Sequence, residues 1–158
     1  MFEKQLRNVG RLRAVTDQIL PPYDIVLMLK YFGYNAYDTD FEEGEHIIGS
    51  IETYDCEPKF YVKRSLDRYK KRFILAHLLG HLTLLPEDAE ILETQESIVD
   101  NFNVANVFAN TFARQLLFPL KAVREAIICG ANTVGTLSEL FELPESVITA
   151  GLESYKFV

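Results

Sequence analysis

The sequence predicts an α+β domain with a small antiparallel sheet and a mainly helical core. The chain has 158 residues, of which 48% are apolar, enough to build one compact core. Short β-rich pieces are confined to residues 34–62, whereas apolar residues recur at helical spacing before and after that region. One helix, a few strands and then only helices is an order typical of α+β proteins.

The elements follow from local signals along the chain. A first helix is predicted over residues 23–32, after Pro21 and Pro22 and before Gly33. Ser65 is expected to cap a second helix that ends at Pro86, and a third runs from about residue 98 to Phe118. The predicted strands, which are rich in β-branched and aromatic residues, cover 34–37, 46–51 and 59–62.

The remainder is predicted to be helical, with breaks at Gly130 and Gly135 that separate helices over 120–128, 136–143 and 144–152. We therefore expect an N-terminal helical extension (1–20), a main domain (21–119) and a C-terminal helical segment (120–158) packed on the same core.

Composition restricts the classes of function. The formal net charge is −7, which disfavours a protein that binds the phosphate backbone through a basic surface. The sequence has no secretory signal pattern and no apolar run of membrane-spanning length, so a soluble cytoplasmic protein is expected. Cys56 and Cys129 are too few for a disulfide framework and are expected to be reduced.

Charge is arranged in blocks. Residues 31–58 contain eight acidic residues and no Lys or Arg, and seven basic residues then occur within 59–72. The simplest interpretation is that the basic block is solvated and pairs with acidic residues around it, whereas a patch for a binding partner is the alternative.

Two histidines, His77 and His81, are four residues apart within a predicted helix. Residues i and i+4 share a helix face, so both imidazoles could reach one metal ion, as in the zincin motif H-E-x-x-H. The Glu of that motif takes a proton from zinc-bound water, but the corresponding residue here is Leu78, which cannot accept a proton. A histidine pair alone is a weak signal, because packed or exposed histidines often have this spacing.

The surrounding sequence is more specific. Residues 72–82, Arg-Phe-Ile-Leu-Ala-His-Leu-Leu-Gly-His-Leu, resemble the R-F-T-L-A-H-E-L-G-H-L signature of the ImmA/IrrE family of zincin-like metallopeptidases. Residues 109–119 resemble its A-N-x-F-A-x-x-L-L-M-P helix, and residues 137–148 resemble its L-A-x-x-F-x-V-S-x-x-x-V segment. The resemblance covers roughly residues 20–153.

This resemblance implies a zincin-like fold for the main domain and a function related to that of the family, whose studied members cut helix-turn-helix repressors. It also implies that His77 and His81 correspond to zinc ligands, that Leu78 replaces the general base and that Asn106 replaces the third ligand, a Glu. Both replacements remove a carboxylate, so we expect no peptidase activity and no zinc in the cell, with zinc binding kept as an alternative. Glu93, Glu96 and Asp100 are other candidate ligands, but they could coordinate the metal only if the third helix begins later than predicted.

The preferred hypothesis is a catalytically degenerate ImmA/IrrE-like protein that binds a protein partner, namely a repressor or other regulator in a phage or mobile-element switch. An active zinc metallopeptidase with an unusual ligand set, cleaving a helix-turn-helix repressor, is the alternative. DNA binding through residues 134–152 is disfavoured because the would-be recognition helix, 144–153, contains two Glu and no Lys or Arg. His46 is expected at the surface, and the oligomeric state is left open.

Overall fold

The computed structural model describes residues 9–42, 46–53, 57–83, 91–95 and 104–157. These residues form seven helices and one four-stranded sheet. The helices are α1 (Val9–Val15), α2 (Ile25–Tyr31), α3 (Arg68–Leu82), α4 (Val104–Leu117), α5 (Leu120–Ile128), α6 (Val134–Phe141) and α7 (Glu145–Ser154). The strands are β1 (Asn35–Thr39), β2 (Ile47–Glu52), β3 (Lys59–Lys63) and β4 (Ile91–Gln95). The α+β fold class is therefore confirmed.

The sheet is mixed, which corrects the prediction of a wholly antiparallel sheet. Its strand order is β1-β3-β2-β4; β2 is antiparallel to β3 and to β4, whereas β1 is parallel to β3. The chain reverses its direction between β1 and β2 and again between β2 and β3. Strand β1 lies beside β3 and not beside β2, and it therefore pairs with a strand that runs in its own direction. The fourth strand, β4, was not predicted, since only its first two residues are apolar.

Helix ends follow local capping. Asp67, and not Ser65 as predicted, caps α3, because its carboxylate accepts a hydrogen bond from the Lys70 N–H at 3.0 Å. Gly135 lies inside α6 instead of breaking it, since Thr133 and Thr136 form a capping box at the start of that helix. The predicted end of the second helix and the predicted start of the third lie outside the described residues.

Helix α3 lies between the sheet and α4, and two glycines permit this close packing. A Cβ at Gly49 in β2 would lie 2.7 Å from Ile74, and one at Gly80 in α3 would lie 3.0 Å from the Cα atom of Ala109 in α4. Residues 73–81 of α3 are consequently buried without interruption. The histidine pair is part of this buried stretch.

Arg72 ties the C-terminal helices to the rest of the molecule. Its guanidinium donates hydrogen bonds to the backbone carbonyls of Tyr23 (2.8 Å), Phe141 (3.3 Å) and Glu142 (2.9 Å). One hydrophobic cluster includes side chains from the sheet and from all seven described helices. The boundaries predicted after residues 20 and 119 stay predictions. None of the described helices has the length and apolar character needed to cross a membrane.

Candidate functional site

His77 and His81 lie next to each other on the face of α3 that packs against α4. Their ring centroids are 4.5 Å apart, and their Nε2 atoms are separated by 3.0 Å. The exposed fractions are 0% for His77 and 6% for His81. The predicted shared face of the two imidazoles is therefore present, but it is enclosed by the helix packing.

Helix α4 presents two asparagines to this pair, again four residues apart. The Oδ1 atom of Asn110 is 2.7 Å from His77 Nδ1, and the Oδ1 atom of Asn106 is 2.9 Å from His81 Nε2. Because an amide oxygen only accepts, His77 carries its proton on Nδ1 and His81 carries its proton on Nε2. The Nε2–H group of His81 then lies between two acceptors, the lone pair of His77 Nε2 and the Oδ1 atom of Asn106.

Sequence reasoning identified Asn106 but missed Asn110. The signal was available, since Asn110 belongs to the second family-like run and follows Asn106 by one helical turn. What the sequence could not supply is the pairing across the helices, in which each asparagine meets one histidine.

Burial keeps both imidazoles neutral. It lowers the pKa of His77 from 6.5 to about 3, with a smaller contribution of the same sign from His81, whereas the hydrogen bond to Asn110 acts in the opposite direction. Burial also lowers the pKa of His81, against the opposing effect of its bond to Asn106. Neutral rings at pH 7 agree with the donor and acceptor roles given above.

Leu78 occupies the position next to His77 where the zincin motif has its general base. Its side chain is fully buried and packs toward β2, where a Cβ added at Gly49 would lie 3.1 Å from Leu78 Cδ1. This position therefore contributes apolar packing between α3 and the sheet and has no group that could accept a proton.

The described residues do not fit the zinc site of a peptidase. The three polar side chains at the positions of the predicted ligands, His77, His81 and Asn106, lie together, but all three donors are neutral. Within the described residues, no cluster of three or more His, Cys, Asp or Glu is placed to hold a metal ion. A neutral amide oxygen such as that of Asn106 is a weaker zinc donor than a carboxylate. Of the other candidate ligands, Glu93 lies in β4, whereas Glu96 and Asp100 lie outside the described residues.

The remaining predicted positions are at the surface. His46 is exposed just before β2, as predicted, and Cys129 is exposed after α5, while Cys56 lies outside the described residues. The basic block forms the expected ion pairs with acidic neighbours: Arg64 with Asp40, Arg68 with Glu142 and Lys71 with Asp38, at 3.4, 3.0 and 3.1 Å.

A small sheet beside a buried helix with a His-x-x-x-His pair defines the class as a zincin-like α+β domain. The chain matches the Peptidase M78 family model, described as the IrrE N-terminal-like domain, over residues 38–153. The match spans most of the chain, so the protein belongs to this family, and the ImmA/IrrE resemblance is confirmed. A comparison with curated proteins gave no significant match.

Proposed function

We propose that this protein is a catalytically degenerate family member that acts by binding a protein partner and not by cutting a peptide bond. The observation that carries the proposal is the closed network of His77, His81, Asn106 and Asn110, in which the two amide oxygens accept hydrogen bonds from the two imidazole rings. Leu78, which packs against the sheet, provides no group that could act as a general base.

Chemical magnitudes support the absence of hydrolysis. Removing a general base costs about 10²–10⁴ in rate, and the loss of an anionic third ligand also lowers the affinity for the metal. The buried His77 is a poor substitute base, because an imidazole with a pKa of about 3 has little tendency to take a proton at neutral pH.

The partner is a helix-turn-helix repressor or another regulator in a phage or mobile-element switch. This part of the proposal rests on the family, whose studied members act on such repressors, and on the retained packing of α3 against α4. A cytoplasmic location follows from such a partner. A fold that is preserved while its carboxylates are replaced is the pattern expected when recognition is useful and cleavage is not.

Zinc content and partner binding test the proposal together. Protein purified without chelator should contain less than about a tenth of an equivalent of zinc. Co-expression with the helix-turn-helix protein of a neighbouring gene should give a stable complex in which the partner stays intact. A full equivalent of zinc together with cleavage of that partner would overturn the proposal in favour of the active metallopeptidase.

A rebuilt site provides the matched control. The double variant Leu78→Glu, Asn106→Glu should bind zinc, because it restores a carboxylate ligand and a base to a scaffold that still has both imidazoles. Adding His77→Gln to that variant should abolish zinc binding again. If the double variant folds and remains free of metal, Asn106 is not the position of the third ligand.

A further inference from the structure

Large apolar side chains are exposed on α2 and on the loop that precedes it. Ile19 and Leu20 in the loop are 85% and 73% exposed, and Leu27 and Tyr31 on the helix are 44% and 58% exposed. Leu27 and Tyr31 are four residues apart, so they share one face of the helix. These four side chains are called the α2 patch below.

Hydrogen bonds and ring contacts hold the α2 patch in place. The Gln18 side chain donates to the carbonyl of Asp24 at 3.0 Å and accepts from its N–H, so the loop begins and ends at the N-terminal end of α2. The Asp24 carboxylate accepts from the Leu27 N–H at 3.1 Å. Tyr31 meets the ring of Phe32 edge-on, with 5.5 Å between the ring centroids. An exposed surface that is already ordered loses little conformational freedom when it is covered, which favours an interface.

The amount of exposed apolar surface also favours an interface. The α2 patch presents roughly 400 Å² of apolar surface, whereas monomeric proteins rarely expose a contiguous patch of more than a few hundred Å². Two copies that meet through this patch would bury about twice that area together with its polar rim. Such a contact reaches the lower end of the range for specific interfaces, about 1,200 Å².

The charges beside the α2 patch have opposite signs at its two ends. Asp17 and Asp24 are exposed near the N-terminal end of α2, and Lys30 is exposed near its C-terminal end. Within the part of the chain that the structure describes, none of these three side chains forms an ion pair. Arg72 lies near Asp24, but its guanidinium pairs with Glu142 and with backbone carbonyls. A surface with one sign at each end is complementary to a second copy of itself turned end to end.

The spacing along α2 locates the symmetry axis. Leu27 lies three residues from Asp24 and three residues from Lys30. If two α2 helices pack antiparallel with a two-fold axis at Leu27, Asp24 of each copy lies opposite Lys30 of the other, because a two-fold axis repeats every contact. Both ion pairs then flank an apolar centre, which is the usual arrangement of an interface.

We propose that the α2 patch is the interface of a homodimer, in which the α2 helices of two copies pack antiparallel about a two-fold axis at Leu27. Leu27 contacts its counterpart on the axis. Tyr31 lies opposite the N-terminal end of the other copy's α2, where Ile19 and Leu20 project. This inference goes beyond the proposed function, and it stands or falls independently of it.

Sedimentation velocity of the whole protein over a range of about 1–200 μM measures the association. We expect a reversible equilibrium between the monomer of 18.1 kDa and a species of about twice that mass, with a dissociation constant of about 1–100 μM. Leu27→Ser should weaken the dimer at least about tenfold, because it removes the apolar contact on the axis. Circular dichroism checks folding, which an exposed position of this kind tolerates.

A charge cycle tests the predicted pairing of Asp24 with Lys30. Lys30→Glu should weaken the dimer at least about tenfold, because two repulsive pairs replace two attractive ones. Adding Asp24→Asn to that variant should recover most of the loss, since Asn still caps α2 but no longer repels the new Glu. Lys121→Glu, the same change on the exposed surface of α5, is the matched control and should have no effect.

Cross-linking tests the position of the axis, because a residue on a two-fold axis meets its own counterpart. In a Cys129→Ser background, Leu27→Cys should form a disulfide-linked dimer under mild oxidation. Ile128→Cys in the same background is the control and should remain unlinked, although position 128 is 83% exposed.

A single monomeric species at 200 μM would overturn the inference. Equal effects of Lys30→Glu and Lys121→Glu, or equal cross-linking of Leu27→Cys and Ile128→Cys, would overturn the antiparallel arrangement about Leu27. If the protein is monomeric and Leu27→Ser instead abolishes the complex with the neighbouring-gene regulator, the α2 patch belongs to that regulator and the homodimer is wrong. Stoichiometric zinc with cleavage of the regulator refutes the proposed function and leaves the homodimer untouched.

Discussion

The buried histidines make the stability of the protein depend on pH below about pH 6.5. His77 has a pKa of about 3 in the folded protein, against 6.5 for an ordinary histidine in the unfolded chain. Because the unfolded state takes up the proton first, the contribution is fully present above pH 6.5 and is lost progressively as the pH falls toward 3. Linkage then gives a loss of about 2 kcal/mol for His77 between pH 8 and pH 5. His81, whose pKa is also lowered, adds a loss of the same sign.

Urea unfolding followed by circular dichroism at pH 8 and pH 5, in buffer with a chelator, measures this difference in the free energy of unfolding. In the variant His77→Gln the difference should shrink by about 2 kcal/mol, whatever the variant does to stability at pH 8. The exposed His46 supplies the control, since His46→Gln should retain the wild-type difference. Equal stability of the wild type at the two pH values, or an unchanged difference in His77→Gln, would refute the account of a neutral buried network.

Three further substitutions test the packing around the site, each by urea unfolding. Gly80→Ala should destabilise the protein by about 1–2 kcal/mol, because the clash with α4 exceeds the gain of about 1 kcal/mol in helix propensity. Gly135→Ala is the control and should stabilise the protein, because the added Cβ meets nothing closer than 3.8 Å. Stabilisation by both substitutions would contradict the close approach of α3 and α4. Asn110→Leu should cost about 1–3 kcal/mol, since a buried imidazole N–H loses its acceptor, and a neutral effect would argue against that bond. Arg72→Met should cost about 2–4 kcal/mol through the loss of hydrogen bonds to three backbone carbonyls, and a loss below about 0.5 kcal/mol would refute its role in holding the C-terminal helices.

Local signals in the sequence were sufficient for much of the fold. Helical spacing together with prolines and glycines located α2 and the three C-terminal helices to within about two residues of their observed positions. Capping was harder to predict, as the shift from Ser65 to Asp67 shows, because several residues near a helix start can serve as the cap. The weakly apolar β4 was missed, since its backbone pairing with β2 is a tertiary interaction.

The sequence by itself determined the family and the absence of two carboxylates, because both are written in residue identity and spacing. Only the tertiary structure decided which side chains surround the histidine pair. Asn106 and Asn110 lie 25 and 33 residues from their histidine partners, and no local pattern states which helix faces will meet. The neutral state of the histidines and the packing of Leu78 against β2 likewise depend on burial and strand order. Those properties arise when distant segments pack together and exclude water, which is why periodicity and composition could not predict them.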